Sequence, residues 1–295
     1  MKSKHRHLHR RIGFFPEYFE KPLLIILLSL ITFSASAQAP LANKMEIGLF
    51  RNSNTCVVIE EAWMAFSIPI KNAMKEYWTI TGYEFIDQDE FEDRKHNTKY
   101  SFIMFTRGEY EKDPKGVGYN FISLVLADPS DDINNMPEFA SIPVSYAGDE
   151  GADFGYAIPA IVQFMQIQVR VLDDKRFWIK LCGLKYYNRG KKFKDKVLLL
   201  NKDMMAPEVD TEGEIRNVYD YYFELVYTDE MREKLKAEAE NTLFLFHVGP
   251  EEGTAAGKCF EMIFSTSGQL YYYNSRDVTN ENPDGFTEKD LKKIS

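Results

Sequence analysis

Two stretches of the chain, 145 residues apart, share one pattern of apolar positions. In the first, apolar side chains recur at the spacing i, i+3, i+4, i+7 and i+8, at Ile70, Ala73, Met74, Tyr77 and Trp78. In the second, the same spacing is occupied by Ile215, Val218, Tyr219, Tyr222 and Phe223. This spacing is typical of a helix with one buried face, so it predicts a helix in each stretch. We expect the first helix to begin at Ser67, a capping residue followed closely by Pro69.

The segments around these two helices also follow one order. Each helix is preceded by an apolar run, "TCVVIEE" or "KVLLLNK", and followed by a short extended segment, "YEFI" or "ELVY". A second helix comes next, and in the first half Asp87 and Glu90 have the spacing of a capping box. Three strands and a final helix follow, and in the second half Thr287 and Asp290 predict the start of that helix. Each half therefore predicts the order β-α-β-α-β-β-β-α.

We interpret this recurrence as an internal duplication of one α/β module, with α+β as the alternative class. The predicted modules are two mixed sheets with flanking helices, at residues 45–170 and 196–295. Residues 171–195 have no counterpart, and we expect them to form a connecting strand or hairpin. The element order resembles that of thioredoxin-type folds with an added strand, although the chain has no CxxC redox pair.

The first 37 residues have the composition of an export signal. A leader with six lysine and arginine residues is followed by the apolar run "LLIILLSLITF" and by "ASA", a small-residue cleavage site ending at Ala37. The apolar run is shorter than the roughly 20 residues that cross a bilayer. We therefore expect cleavage after Ala37, a periplasmic or secreted protein, and no stable membrane span after cleavage. A retained membrane anchor is the alternative.

Cleavage would make the chain strongly acidic. It leaves 30 lysine and arginine residues against 43 aspartate and glutamate residues, a net charge of −13. A protein of this charge is repelled by nucleic-acid phosphate and by anionic lipid, so we predict no nucleic-acid partner and treat anionic lipid as an unfavourable default. One basic stretch stands out, at Lys185, Arg189, Lys191, Lys192, Lys194 and Lys196. It could contact an acidic partner or the other module, or form a solvated loop.

Residues that could support catalysis are scarce. After cleavage only His96 and His247 remain, and we expect both to be exposed at a loop and a strand end. No GxSxG or HExxH motif is present. The adjacent acids Glu60–Glu61 and Asp229–Glu230 are best explained as solvated or helix-capping residues. Three isolated cysteines are predicted to be buried and inert, with one disulfide as the alternative, at Cys56, Cys182 and Cys259.

The sequence also predicts no metal and no cofactor. The segment "NENPDG" resembles the start of an EF-hand loop at Asn280, Asn282 and Asp284, but Leu291 stands where a bidentate acid is needed. A second acidic segment, "DPSDDINN", lacks the glycine of such a loop. The pair of glycines in "GVG" lacks the spacing of a phosphate-binding loop.

These observations favour a non-catalytic binding or assembly protein of the bacterial cell envelope or extracellular space, with a protein or glycan partner. The candidate contact residues are Tyr271, Tyr272, Tyr273, Lys191 and Lys192. Tyr271 and Tyr273 should share one sheet face, with Tyr272 on the other.

Most other aromatics, including the three tryptophans Trp63, Trp78 and Trp178, are expected to pack in the core. The alternative function is a glycosidase-like hydrolase with carboxylates in a cleft between the modules. A degenerate redox protein of thioredoxin shape is a third possibility.

Overall fold

The strands of the chain form two five-stranded sheets in a computed structural model. The structure describes residues 39–59, 64–110, 113–114, 116–149, 151–190, 192–237, 240–250 and 256–295. The first sheet contains strands β1 to β5, at Asn54–Val58, Gly82–Ile86, Tyr100–Gly108, Tyr119–Leu126 and Glu138–Tyr146. The second contains β6 to β10, at Val197–Asn201, Phe223–Val226, Thr242–Val248, Lys258–Ser265 and Leu270–Asp277.

Seven α-helices flank these sheets in the described part of the chain. They are α1 to α7, at Lys44–Arg51, Met64–Tyr77, Gln88–Arg94, Ile158–Cys182, Glu212–Arg216, Thr228–Lys236 and Glu288–Ile294. Capping boxes at Asp87 and Thr287 begin α3 and α7, as the sequence predicted. The predicted signal peptide lies outside the described residues. Within the described residues, no helix combines the length and apolar character that crossing a bilayer requires.

Both sheets have the same strand order. The first runs β2-β1-β3-β4-β5 and the second runs β7-β6-β8-β9-β10. In each, the first three strands of the module are parallel, and the next strand pairs antiparallel with the third. This confirms the mixed α/β class with two sheet modules. The proposed duplication stays a prediction, because a shared strand order does not by itself establish common origin.

The first apolar stripe forms the predicted helix. Ile70, Ala73, Met74 and Trp78 are all buried on one side of α2 or directly after it. The predicted start at Ser67 is wrong, because α2 already includes Met64 and contains Pro69 in its interior. Pro69 has no backbone N–H, so one carbonyl of α2 lacks its usual donor. The packing of α2 in the protein must offset this loss.

The second stripe does not form a comparable helix. Helix α5 ends at Arg216, and Phe223 already belongs to strand β7. The prediction of a helix through residue 223 is therefore wrong. Ile215, Tyr219 and Phe223 are nevertheless buried in the same apolar cluster, so this spacing marks the buried side chains rather than the backbone conformation.

The predicted connecting strand or hairpin at residues 171–195 is also wrong. The structure has the C-terminal half of α4 there, followed by a 3-10 helix at Gly183–Asn188. The helix extends because "QVRVLDDKRFWIKLC" has neither glycine nor proline until Gly183, whose φ of 55° ends it.

Helix α4 is buried on most sides from Ile158 to Leu172. Its side chains share one apolar cluster with Ile122 of the first sheet and Phe264 of the second. Phe164 packs edge to face on Phe264, with 5.8 Å between ring centroids. A helix that is apolar around its circumference must be covered on all sides. One face of each sheet therefore packs in the cluster that contains α4, while the opposite faces form separate apolar clusters.

Three glutamines of α4 connect it to its surroundings. Gln166 accepts from the Thr79 backbone N–H at 2.9 Å and donates to the Tyr77 carbonyl at 2.9 Å. Gln163 donates to the Thr266 carbonyl at 3.0 Å, and Gln168 accepts from the Tyr187 hydroxyl. Each amide thus joins the helix to a different neighbouring segment while satisfying its own polar atoms.

The turn between β9 and β10 approaches α4 closely at Gly268. Its φ is 75°, and a Cβ there would lie 2.8 Å from both the Ala160 carbonyl oxygen and the Phe164 nitrogen. Only glycine adopts this backbone conformation without strain and leaves room for the helix.

We predict that Gly268→Ala lowers the free energy of unfolding by about 2 kcal/mol or more, because the backbone of α4 cannot yield to the added methyl group. The matched control is Gly48→Ala in α1, where no heavy atom lies within 4 Å of the added Cβ. That exchange should raise the free energy of unfolding by about 0.5–1 kcal/mol, because alanine has a higher helix propensity than glycine. Urea denaturation measures both, and equal effects would contradict the close packing.

Candidate functional site

A cleft lies between the C-terminal half of α4, the 3-10 helix and the start of β10. It encloses about 650 Å³ and has more apolar than polar lining surface. We call it the aromatic cleft and define it by its lining residues, Ile167, Val171, Lys175, Trp178, Tyr186, Tyr187, Arg189, Gln269 and Leu270. Concave, mostly apolar sites with a few polar groups are typical of ligand binding.

Trp178 and Arg189 form the outer wall of this cleft. The Arg189 guanidinium carbon lies 4.9 Å from the centroid of the Trp178 ring, a cation–π geometry. Trp178 remains 42% exposed, and Arg189 is exposed as well. The wall is therefore both apolar and positively charged, and it is accessible from solvent.

The backbone of α4 positions Trp178. The chain leaves helical angles at Lys175, where φ is −125° and ψ is 19°. Ile179 then remains buried while Phe177 and Leu181 are exposed. Trp178 stands between these two environments at the border of the cleft.

The structure brings part of the predicted tyrosine and lysine site to the same region. Asn188 accepts from the Tyr273 backbone N–H at 2.8 Å and donates to its carbonyl at 2.9 Å, covering the edge of β10. Phe193 packs edge to face on Tyr271 at 5.7 Å. Both tyrosines are half-buried, and Lys192 is exposed. Lys191 lies outside the described residues.

Tyr272 is not a contact residue. It is 2% exposed and donates its hydroxyl hydrogen to the buried carboxylate of Asp290 at 2.6 Å. Burial acts to raise the pKa of Asp290, but hydrogen bonds from Thr287, Tyr272 and Lys293 together hold it below its ordinary value. The prediction for Tyr272 is therefore wrong, because the pleat turns this ring into the core beneath α7.

His247 is also more enclosed than the sequence predicted. Its side chain is 7% exposed, and its Nε2 lies 3.0 and 3.1 Å from the two carboxylate oxygens of Asp284. Since a carboxylate only accepts, Nε2–H donates. The loop that carries Asp284 covers the ring, so the expected exposed strand-end histidine is wrong for this residue.

A buried polar network continues from His247 into the second sheet. Glu261 lies opposite His247 on β9 and is fully buried. One of its oxygens accepts from Arg276 Nε at 3.2 Å and from Cys259 Sγ at 3.3 Å. Neither Glu261 Oε2 nor His247 Nδ1 has a hydrogen-bond partner. Burial raises the pKa of Glu261, although the neighbouring His247 and Arg276 oppose this shift.

This network has catalytic residue types, and its members in the sheet are enclosed. Cys259 and Glu261 are both completely buried, and burial raises the pKa of the Cys259 thiol far above its ordinary value. Among the described residues, no three histidine, cysteine or acidic side chains come together as a metal ion would require. The network therefore holds the loop of Asp284 against the sheet.

The remaining chemical candidates are dispersed. His96 is exposed in its loop, as the sequence predicted, and lies 3.4 Å from Asp131. Asp229 lies in the first turn of α6, as expected for a solvated helix-start acid. All three cysteines are free, and burial raises the pKa of Cys56 to about 11. Cys182 is only half-buried, so the prediction of burial fails for it.

Two of the adjacent acids and one of the tryptophans lie outside the described residues, namely Glu60, Glu61 and Trp63. Trp78 is buried as predicted, at 6% exposure, and donates its indole N–H to Thr81 at 3.0 Å.

Sequence reasoning missed Trp178 and Arg189 as a pair. Both stand in the stretch that was expected to connect the modules, and Trp178 was assigned to an apolar pattern. The available signal was the run "KRFWIKLCGLK", in which large apolar and basic residues alternate too closely for one buried face.

Comparison with known proteins adds no assignment: no family model, curated protein or solved structure matches this chain.

We predict that Tyr272→Phe lowers the free energy of unfolding by about 1.5–3 kcal/mol, because it removes a hydrogen bond to a buried carboxylate. Urea denaturation at neutral pH measures the change. Tyr222→Phe is the control, since that ring is 58% exposed and its hydroxyl lies 3.3 Å from Glu224. A loss of similar size in both variants would contradict the structural role of Tyr272.

Glu261→Gln tests the raised pKa of the buried carboxyl. A group whose folded pKa lies above its unfolded value loses stabilisation as pH rises from the ordinary glutamate pKa, about 4.3, towards the folded value. The variant cannot titrate there. Its stability relative to wild type should therefore increase between pH 4 and pH 8 in urea denaturation. A difference that stays constant, or decreases with pH, would show that Glu261 is charged in the folded protein.

Proposed function

We propose that this chain is an exported, non-catalytic binding or assembly protein of the bacterial cell envelope or extracellular space, and that its partner binds at the aromatic cleft. The observation that carries this proposal is the pairing of Trp178 with Arg189 at a solvent-accessible concave wall. Few other described features combine apolar area, positive charge and access.

The composition of the cleft favours a protein over a glycan as the partner. Tryptophan, tyrosine and arginine contribute most of the binding energy at protein interfaces, and Trp178, Tyr186 and Arg189 line this cleft together. Lys175 adds a second positive charge at the same wall. A partner segment with an apolar anchor beside an acidic residue would complement this surface.

The cleft offers no support for the hydrolase alternative. Its lining contains neither aspartate nor glutamate, whereas glycoside hydrolysis needs two carboxylates about 5–10 Å apart. The seam between the modules is instead packed with aromatic rings. Tyr119 and Tyr146 there hydrogen-bond the backbone of Lys258 at 2.8 and 2.6 Å.

A photo-crosslinking residue placed at Gln269 of the aromatic cleft tests the proposal in the intact envelope. We expect a discrete protein adduct, and no adduct from the same residue placed at exposed Tyr222. Adding Trp178→Ala should reduce the Gln269 adduct at least about tenfold, as for an interface hot spot.

Phe177→Ala is the matched control, because this neighbouring ring is exposed but does not line the cleft. It should leave the adduct unchanged. An adduct that survives Trp178→Ala, or turnover of glycosidic, ester or peptide substrates by the purified protein, would overturn the proposal. If the protein bound glycans on an array and Trp178→Ala abolished this binding, the partner would be a glycan and not a protein.

A further inference from the structure

The last two turns of α4 expose large apolar side chains outside the aromatic cleft. Phe177 is 69% exposed and Leu181 is 65% exposed. Four residues apart on a helix, they lie on the same face. Trp178 packs edge to face on Phe177, with 5.3 Å between ring centroids, and extends this face to the border of the cleft.

Basic side chains surround these three residues. Lys175, Lys180 and Lys185 are all exposed, and Arg189 lies over Trp178. Residues 170–196 contain ten lysine and arginine residues against three aspartates, a net charge of +7. The rest of the predicted mature chain contains 20 basic and 40 acidic residues. The segment that contains the end of α4 is therefore positively charged within an acidic chain.

The local charge governs a contact here more than the net charge does. At physiological ionic strength charges are screened over about 8 Å, so distant acids act weakly on a surface docked at α4. Of the three nearby aspartates, Asp173 is paired with Arg51 at 2.8 Å. Asp174 and Asp195 are exposed but outnumbered. The net negative charge of the chain therefore does not prevent this face from contacting anionic lipid.

The start of the described chain contacts the same helix turns. Arg176 donates through Nε to the Ala42 carbonyl and through Nη2 to the Leu41 carbonyl, both at 2.7 Å. These residues follow the predicted cleavage site at Ala37 by only a few positions.

We propose that the exposed end of α4, defined by Phe177, Trp178, Leu181, Lys175, Lys180 and Lys185, docks on the surface of a bilayer containing anionic phospholipid. The apolar side chains enter the headgroup region, and the lysine ammonium groups pair with lipid phosphates. The contact is peripheral and spans nothing. It shares Lys175 and Trp178 with the aromatic cleft, whereas Phe177, Lys180, Leu181 and Lys185 do not line that cleft.

Vesicle sedimentation tests this contact directly. The protein lacking residues 1–37 is suitable, because residues 37–295 form one compact unit. It should bind phosphatidylglycerol-containing vesicles, bind pure phosphatidylcholine vesicles far less, and dissociate at high salt. Phe177→Ser/Leu181→Ser should weaken binding about tenfold or more, since both apolar side chains lose their burial in the lipid. Lys180→Glu/Lys185→Glu should weaken it similarly.

Ile133→Ser and Tyr222→Ser are matched controls, with side chains 47% and 58% exposed on other elements. Both should bind as wild type does. Trp178 is left in place because it also borders the cleft, so the Gln269 adduct should persist in the Phe177/Leu181 variant.

Three results would overturn the proposal. They are no binding to anionic vesicles at low salt, equal binding by wild type and the Phe177/Leu181 variant, or equal binding to both lipids. A wild-type dimer that the Phe177/Leu181 variant abolishes, without vesicle binding, would assign the face to a second copy. Thermal melts of each variant establish that the folds are intact.

Discussion

Burial of helix α4 between the two sheets is the constraint on which the rest of this structure depends. A helix covered on both sides must be apolar nearly all round, and its polar side chains must find partners within the protein. Gln163, Gln166 and Gln168 meet this requirement by binding three different segments. Because one face of each sheet shares the apolar cluster of α4, the two modules pack together through this helix. The requirement also explains Gly268, since the β9–β10 turn must approach the helix backbone without a side chain.

The same helix produces the proposed functional surface where its burial ends. Up to Leu172 most residues of α4 are buried, whereas beyond Lys175 Ile179 is the single buried residue of the helix. Its last turns keep large apolar residues but gain exposed lysines. A core helix that merely ended would be expected to become polar where it leaves the core. Trp178 and Leu181 instead extend apolar character into solvent, which is typical of a surface that contacts something else.

The sequence predicts those features that depend on local chemistry. The capping boxes at Asp87 and Thr287 each require only two residues three positions apart. The alternation of side chains between the two faces of a strand follows from its pleat. The second apolar stripe failed because spacing alone cannot distinguish a helix from a short helix, a turn and a strand that bury the same side chains. The burial of His247 depends on the Asp284 loop, and that of Tyr272 depends on α7. Both segments approach from distant parts of the chain. No local pattern encodes that cover.

The buried network and the exposed face of α4 contain different kinds of side chain. His247, Glu261 and Cys259 are the residue types from which active sites are built, yet the fold surrounds them with strands and a loop. An enzyme needs its perturbed groups at a surface that a substrate can reach. Here Cys259 and Glu261, whose pKa values are raised by burial, are enclosed, while the aromatic cleft presents aromatic and basic side chains to solvent. The fold thus uses His247 and Glu261 in a buried network beside the Asp284 loop, and it leaves Trp178 and Arg189 accessible at the aromatic cleft.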